Sequence, residues 1–288
     1  MNFLLWWKKR GWQKPACKKL GIEDRAIDLT PWKEVVDKIK NPKERIRLAV
    51  VGKYVELKDA YISVNEAIEN AAYAQGCKAE IDYIQAENLD VKRLEGYNGI
   101  LVPGGFGSRG IEGKMEAIKF ARENRIPFLG ICLGMQLAVI EFARNVMGMS
   151  GANSTEFDKD TKYPVIDIMI DQKNIENMGG TMRLGAYPCV LKEGTLAREL
   201  YNEELIHERH RHRFEFNNEF KDEIQKAGLL ISGNSPDGTL AEIVELSKEI
   251  HPFFIAGQFH PEFKTRPNNP HSLFKGFVEA IYKKQYNK

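Results

Sequence analysis

The chain has 288 residues, 43% of them hydrophobic and 28% charged, which is enough to bury one large core or two small ones. Its 42 Lys and Arg stand against 40 Asp and Glu, a net charge of +2. No overall field exists to draw it to nucleic acid or an anionic membrane, and a small-molecule partner is expected. Four cysteines, Cys17, Cys77, Cys132 and Cys189, show no tight pairing and read as reduced thiols of an intracellular protein, each by default a small buried hydrophobe.

The opening MNFLLWWKKR places five apolar residues before a basic cluster, too few for a secretory core or a membrane span, so a cytoplasmic location is expected. Residues 1–45, with Trp6, Trp7 and Trp12 and then LTPWKEVVDKIKNPKER, lack strand-like alternation and read as helical pieces and a linker. From Ile46 the pattern changes. IRLAVVGKY is a buried-strand run, AYISVNEAIENAAYAQG a helix capped at Gly76, and CKAEIDYIQA an alternating strand. GILVPGG, PFLGI and the helices IEGKMEAIKFAREN and CLGMQLAVIEFARNV continue the rhythm. Strands alternating with helices predict an α/β fold, a mostly parallel central sheet flanked by helices, with reactive groups at the carboxyl ends of the strands. After residue 150 come a polar stretch, NSTEFDKDTKYP, and shorter strands, VIDIMI, MRLGAYPCVL, HRHRFEF, LLISG, LAEIVEL and FFIAGQF, before a last helix, PHSLFKGFVEAIYKK.

Three motifs carry chemistry. GGFGSRG, residues 104–110, has Gly105, Gly107 and Gly110 at the spacing of a dinucleotide fingerprint. It does not open the first strand–helix unit, however, and the following strand lacks the acidic residue that would bind a ribose. A phosphate-loop reading fails at Ser108 and Met115, which stand where that motif needs glycine and a hydroxyl. What the glycines do supply is backbone amides free to approach a ligand or developing negative charge.

Gly130, Cys132 and Gly134 reproduce the nucleophile elbow, Gly-x-nucleophile-x-Gly, at a strand-to-helix turn. Such a turn lifts the sulfur above the sheet, and the helix behind it aims free amides and a positive dipole end at the thiolate. The Leu133 amide is well placed for an oxyanion. A base is then required. Of the six histidines, His260 closes FFIAGQF and is followed by Pro261 and Glu262. Residues two apart on an extended strand share a face, so Glu262 is expected to reach the imidazole and orient it toward a nucleophile. An ordinary strand exit explains His-Pro-Glu alone; joined to the elbow it reads as a triad.

In HERHRHRFEFN, residues 207–217, alternation sets Arg209, Arg211 and Arg213 on one face and His210, His212 and Phe214 on the other. Two histidines lack a third metal ligand, and no metal site is expected. A carboxylate-binding arginine is favoured, because the guanidinium fork matches a carboxylate.

LVPGGFGSRG, LGICLGMQ and QFHPEF, in this order, resemble the class I glutamine amidotransferases, with a flavodoxin-like architecture and an additional antiparallel portion. The resemblance implies a Cys-His-Glu triad of Cys132, His260 and Glu262, with oxyanion amides at Gly105 and Leu133. It also implies glutamine contacts from Gly105, Leu133, Gly134, Met135, Gln136, Glu156 and Arg213, Glu156 suiting the ammonium and Arg213 the carboxylate. GGFGSRGIEGK, ANSTEFD, GGTMRLG and ERHRHRFEFN narrow it to glutaminase domains that feed ammonia to a separate amidoligase domain acting on a pyrimidine nucleotide. The likeness runs from about Ile46 to about Ala280, giving an extension or linker over 1–45 and an amidotransferase domain over 46–288. ATP and Mg would belong to the amidoligase domain, which the chain lacks, so that the chain reads as an excised or truncated piece of a longer protein. GTP would be an activator acting near Phe106, and the amidotransferase domain would hold no cofactor. A cysteine hydrolase acting on other γ-glutamyl compounds and a non-catalytic assembly module stand as alternatives.

Overall fold

A computed structural model describes residues 3–168 and 182–286. Three helices come first, α1 (Phe3–Lys9), α2 (Gln13–Leu20) and α3 (Thr30–Lys40). The first two bury no side chain, and α3 buries Val36. Strand β1 (Glu44–Gly52) then opens an alternating series: α4 (Ile62–Ala74), β2 (Cys77–Gln85), β3 (Ile100–Val102), α5 (Ile111–Glu123), β4 (Phe128–Ile131) and α6 (Leu133–Asn145). Gly76 takes φ +78° just past α4, the left-handed geometry expected of it. Short strands β5 (Ala152–Ser154) and β6 (Tyr163–Ile168) precede β7 (Arg183–Leu191), α7 (Leu196–Tyr201), β8 (Leu205–His212), β9 (Phe214–Phe216) and α8 (Lys221–Lys226). The chain closes with β10 (Leu229–Asn234), β11 (Ala241–Leu246), β12 (Phe254–Gly257) and α9 (Ser272–Tyr286).

Among the described residues the main sheet has nine strands in the order β2-β1-β3-β4-β12-β11-β10-β7-β8. The first five are mutually parallel, and from β11 onward each strand is antiparallel to its neighbour. The α/β expectation and its antiparallel addition therefore both hold. Along β1, Ile46, Leu48 and Val50 face a core built with α4, α7 and α9, while Ala49 and Val51 face one built with α5, α6 and α8. Helix α6 is buried over nearly its whole length, because a second sheet, β5-β6-β9, packs over the side turned from the main sheet. Buried Glu141 of α6 takes a two-pronged grip from Arg122 of α5 at 2.7 and 3.0 Å, locking the two helices.

Several expectations need correction. HRHRFEF is not one strand: β8 ends at His212, Arg213 turns the corner, and β9 joins the second sheet beside β6. Phe214 therefore does not share a sheet face with His210 and His212. FFIAGQF ends as a strand at Gly257, three residues before His260. Helices α7 and α8 were not anticipated; the buried Glu245 carboxylate accepts the Leu196 and Ala197 amides at 2.6 and 2.9 Å and so fixes the start of α7 from a distant strand. The end of VIDIMI and the GGT of GGTMRLG lie outside the described residues. No helix among them is long and apolar enough to cross a membrane.

Candidate active site

The carboxyl ends of β1, β3, β4 and β12 form one rim, and the site is assembled there. Cys132 leaves β4 with φ +52° and ψ −104°, a conformation that costs a side-chain-bearing residue about 1–3 kcal/mol and persists only where its surroundings enforce it. The glycines show what enforces it. A Cβ on Gly134 would lie 2.2 Å from the Val102 carbonyl oxygen, and one on Gly130 would lie 2.7 Å from the Ala256 Cβ. The first turn of α6 is thus pressed against β3, and β4 against β12, so tightly that side chains are barred on both flanks of the thiol. The Cys132 amide donates to Gly257 of β12 at 2.8 Å, tying the elbow to the strand that leads to His260.

Register explains how the partners meet. Ile131 of β4 lies opposite Gly257 of β12, so both chains leave the sheet side by side. The His260 amide donates to Arg209 of β8 at 2.7 Å, and Pro261–Phe263 then winds into a 3-10 turn. That turn, not an extended strand, brings the Glu262 Oε1 to 2.8 Å from the His260 Nδ1. The expected contact is present, with a different backbone beneath it. Burial works against an imidazolium here, but the Cys132 and Glu262 side chains outweigh it and hold the His260 pKa up at about 10. The other ring nitrogen, Nε2, is buried, and a Cβ on Gly104 would lie 3.0 Å from the ring's Cε1 and 3.5 Å from the Cys132 Cβ. Thiol, imidazole and glycine turn therefore pack against one another.

A pocket of about 50 Å³ opens beside the sulfur, lined by Gly105, Phe106, Cys132, Gln136, Glu156, His212, Arg213 and Phe214. Gly105, Gln136, Glu156 and Arg213, four of the expected glutamine contacts, thus share one cavity with Cys132. Leu133, Gly134 and Met135 do not line it. The Leu133 and Met135 side chains are in the core and Gly134 abuts β3, and the Met135 amide already donates to the Cys132 carbonyl at 3.0 Å, which leaves the Leu133 and Gly134 amides as the groups a ligand could reach. Gln136 donates both amide protons internally, to the Phe214 carbonyl at 3.0 Å and the Gln258 Oε1 at 3.1 Å. It braces the site wall, leaving its own Oε1 for a ligand.

Residues that sequence reasoning missed complete the surroundings. Buried Gln258 approaches the Cys132 Sγ with its Nε2 at 3.7 Å; its place two residues before His260 was the available signal. His210 and His212, considered above as metal ligands, turn inward and bond to each other at 2.9 Å. Arg183 of β7 meets Glu242 of β11 at 2.7 Å and Glu215 of β9 at 3.7 Å, joining both sheets through one buried cation. Burial, reinforced by Arg183, pushes His210 down to about 2 and His212 to about 3, so both are neutral. Burial raises Glu242 to about 7 against the pull of Arg183. This network underlies the corner at Arg213.

The sequence pattern of the family described as Glutamine amidotransferase class-I matches residues 56–280. A cysteine elbow, a histidine–carboxylate pair and a glycine turn at the carboxyl rim of a parallel sheet accord with that match, and the chain belongs to this family. Its relatives within it include CTP synthases. Those of Clostridium beijerinckii and Bacillus subtilis are 57% and 52% identical over 277 residues, 95% of this chain and 51% of each relative. That of Methanocaldococcus jannaschii is 55% identical over 283 residues, 95% of this chain and 52% of the relative. The chain spans about half the length of these relatives. The solved glutaminase domain of Trypanosoma brucei CTPS with bound acivicin superimposes with a TM-score of 0.78 at 40% identity, covering 84% of this chain and 95% of that one.

Proposed function

We propose that this chain hydrolyses L-glutamine to glutamate and ammonia, as the ammonia-donating glutaminase domain of a CTP synthase. The observation that carries the reading is the meeting of the strained Cys132 elbow with the His260–Glu262 pair at one rim of the sheet.

The chemistry follows from the groups. The Cys132 thiolate adds to the side-chain amide carbon, and the charge developing on oxygen is taken up by the Gly105 and Leu133 amides. His260, held as imidazolium by its neighbours, passes its Nε2 proton to the departing nitrogen as the C–N bond breaks, leaving ammonia and a γ-glutamyl thioester. Water then attacks the thioester with His260 accepting its proton. Collapse expels the thiolate and yields glutamate, while Glu262 keeps the ring oriented throughout.

Arg213 would read the α-carboxylate and Glu156 the ammonium. Glu156 now accepts the Gly107 amide at 3.1 Å, a bond that an arriving ammonium would compete with. A 50 Å³ pocket holds about one or two waters, so glutamine entry requires this contact between the glycine turn and the turn after β5 to open. Specificity comes from both charged ends, since leaving a buried partner unpaired costs a few kcal/mol.

In this reading ammonia passes to an amidoligase domain that uses ATP and Mg to convert UTP to CTP. GTP would act near Phe106, whose exposed ring lies under the Arg211 guanidinium at 5.5 Å, a surface suited to a purine. The test is glutamate release from glutamine by this chain, alone and with GTP or an amidoligase domain. Faster turnover of γ-glutamyl peptides would favour a different hydrolase. Failure of a glutamine-analogue diazo-ketone to label Cys132 under every activating condition would favour a non-catalytic module.

A further inference from the structure

Lys114, in the first turn of α5, is fully buried, and its Nζ has no hydrogen-bond partner among the described residues. A buried ammonium with no carboxylate beside it is costly, so its surroundings need to supply negative potential by some other means. Its position suggests which. A methyl group placed on Gly105 would lie 3.6 Å from the Lys114 Nζ, 3.7 Å from the Lys53 Cε and 3.5 Å from the Leu133 Cδ2. A methyl group placed on Gly104, one residue earlier, would instead meet His260 and Cys132. The glycine turn is therefore sandwiched, with the nucleophile and base on one side and two lysines on the other. On the lysine side a carbonyl is already captured, because the Lys53 Nζ donates to the Phe106 oxygen.

In a peptide unit the C=O and N–H point in opposite directions, so a cation that attracts the carbonyls of a turn toward one side sends its amide protons toward the other. We propose that Lys114 is a positioning residue whose buried ammonium orients the Gly104–Gly105 peptide, keeping the Gly105 N–H turned toward the carbonyl under attack at Cys132. The inference rests on the glutaminase reading for its catalytic consequence, though not for the orientation itself. Lys53, from the end of β1, and Cys132, from the elbow, are the titratable groups that act on it. Burial and then the Lys53 charge push Lys114 down to about 8, while Cys132 opposes them. The orienting charge is therefore lost within an accessible alkaline range.

The experiment compares the parent with Lys114→Met, which keeps the side-chain length and removes the charge. Glutamine kcat should fall roughly tenfold to a hundredfold, the range for weakening one oxyanion donor, with KM nearly unchanged. Alkylation of Cys132 by iodoacetamide, followed by mass spectrometry, forms no oxyanion and should slow far less than kcat, only by what the thiolate loses with the neighbouring charge. In the parent, the Gly105 amide resonance should move with a midpoint near pH 8, and in the variant it should stay still. Unchanged kcat, an alkylation rate that falls in step with kcat, or a Gly105 resonance that does not titrate in the parent would each overturn the proposal. A parent that releases no glutamate under any activating condition defeats the glutaminase reading instead, and the Gly105 resonance alone then decides the orientation.

Discussion

Strands β4 and β12 present only hydrophobic residues and glycine to their surroundings, all buried, whereas across the same sheet β8 turns Glu208, His210 and His212 inward. The two halves divide the site between them. In the parallel half the reactive geometry comes from backbone: a strained cysteine, glycines with no room for a side chain, and a helix start behind the sulfur. In the antiparallel half a buried ionic network, Arg183 with Glu242 and Glu215 and the paired histidines, supports the corner that carries Arg213. Helix-flanked parallel strands bury both faces and have little room for charge. The antiparallel extension hands the chain to a second sheet at Arg213, and there buried charges of opposite sign are brought together.

The largest effect expected is on catalysis. Cys132→Ala should reduce glutamine hydrolysis by about a thousandfold or more, and a variant that kept parental turnover would end the nucleophile assignment. Next comes the network. Arg183→Met removes the cation shared by two buried carboxylates, and urea unfolding at pH 8 should show a loss of about 3–5 kcal/mol. That loss should shrink below pH 7, where Glu242 takes up a proton. Smaller, and confined to the parallel half, is Gly134→Ala. Its methyl group would drive into the Val102 carbonyl, so a loss of about 1–3 kcal/mol is expected, with slower labelling of Cys132 as the elbow shifts.

The smallest and most graded difference is in pH dependence, where the histidines of the two halves carry opposite signs. His210 and His212 are depressed in the fold, so the unfolded chain binds more protons below about pH 6.5 and their contribution is lost as pH falls. His260 is raised, so its contribution is complete below its unfolded value and is lost as pH rises through about 10. Urea unfolding from pH 4 to 10 should therefore show two limbs. Cys132→Ala, which removes one of the groups that raise His260, should flatten the alkaline limb and leave the acid one intact.

Much of the parallel half could be read from the letters, because its signals are local. Gly130-x-Cys132-x-Gly134 states a turn geometry within five residues, and His260 with Glu262 lie close enough for any compact backbone to join them. The assumption of an extended strand there was wrong, yet the contact survived because a 3-10 turn also brings positions two apart together. Arg213 was picked out by its chemistry but misplaced by its periodicity. Alternation continues through HRHRFEF as text, and only the departure of β9 to another sheet breaks it. Lys114 and Gln258 carried no sequence signal of comparable strength, since burial beside a distant turn or thiol is not written in neighbouring residues.

By itself, then, the sequence determined the strand–helix alternation, the thiol at the elbow and its histidine–carboxylate pair, because each depends on steric and hydrogen-bonding rules that act over a few residues. The tertiary structure alone decided that β4 and β12 lie side by side so that thiol and imidazole meet, that the arginine corner closes the pocket, and that a lysine sits behind the glycine turn. Those outcomes depend on strand order and on the burial of charge, which are properties of the packed whole.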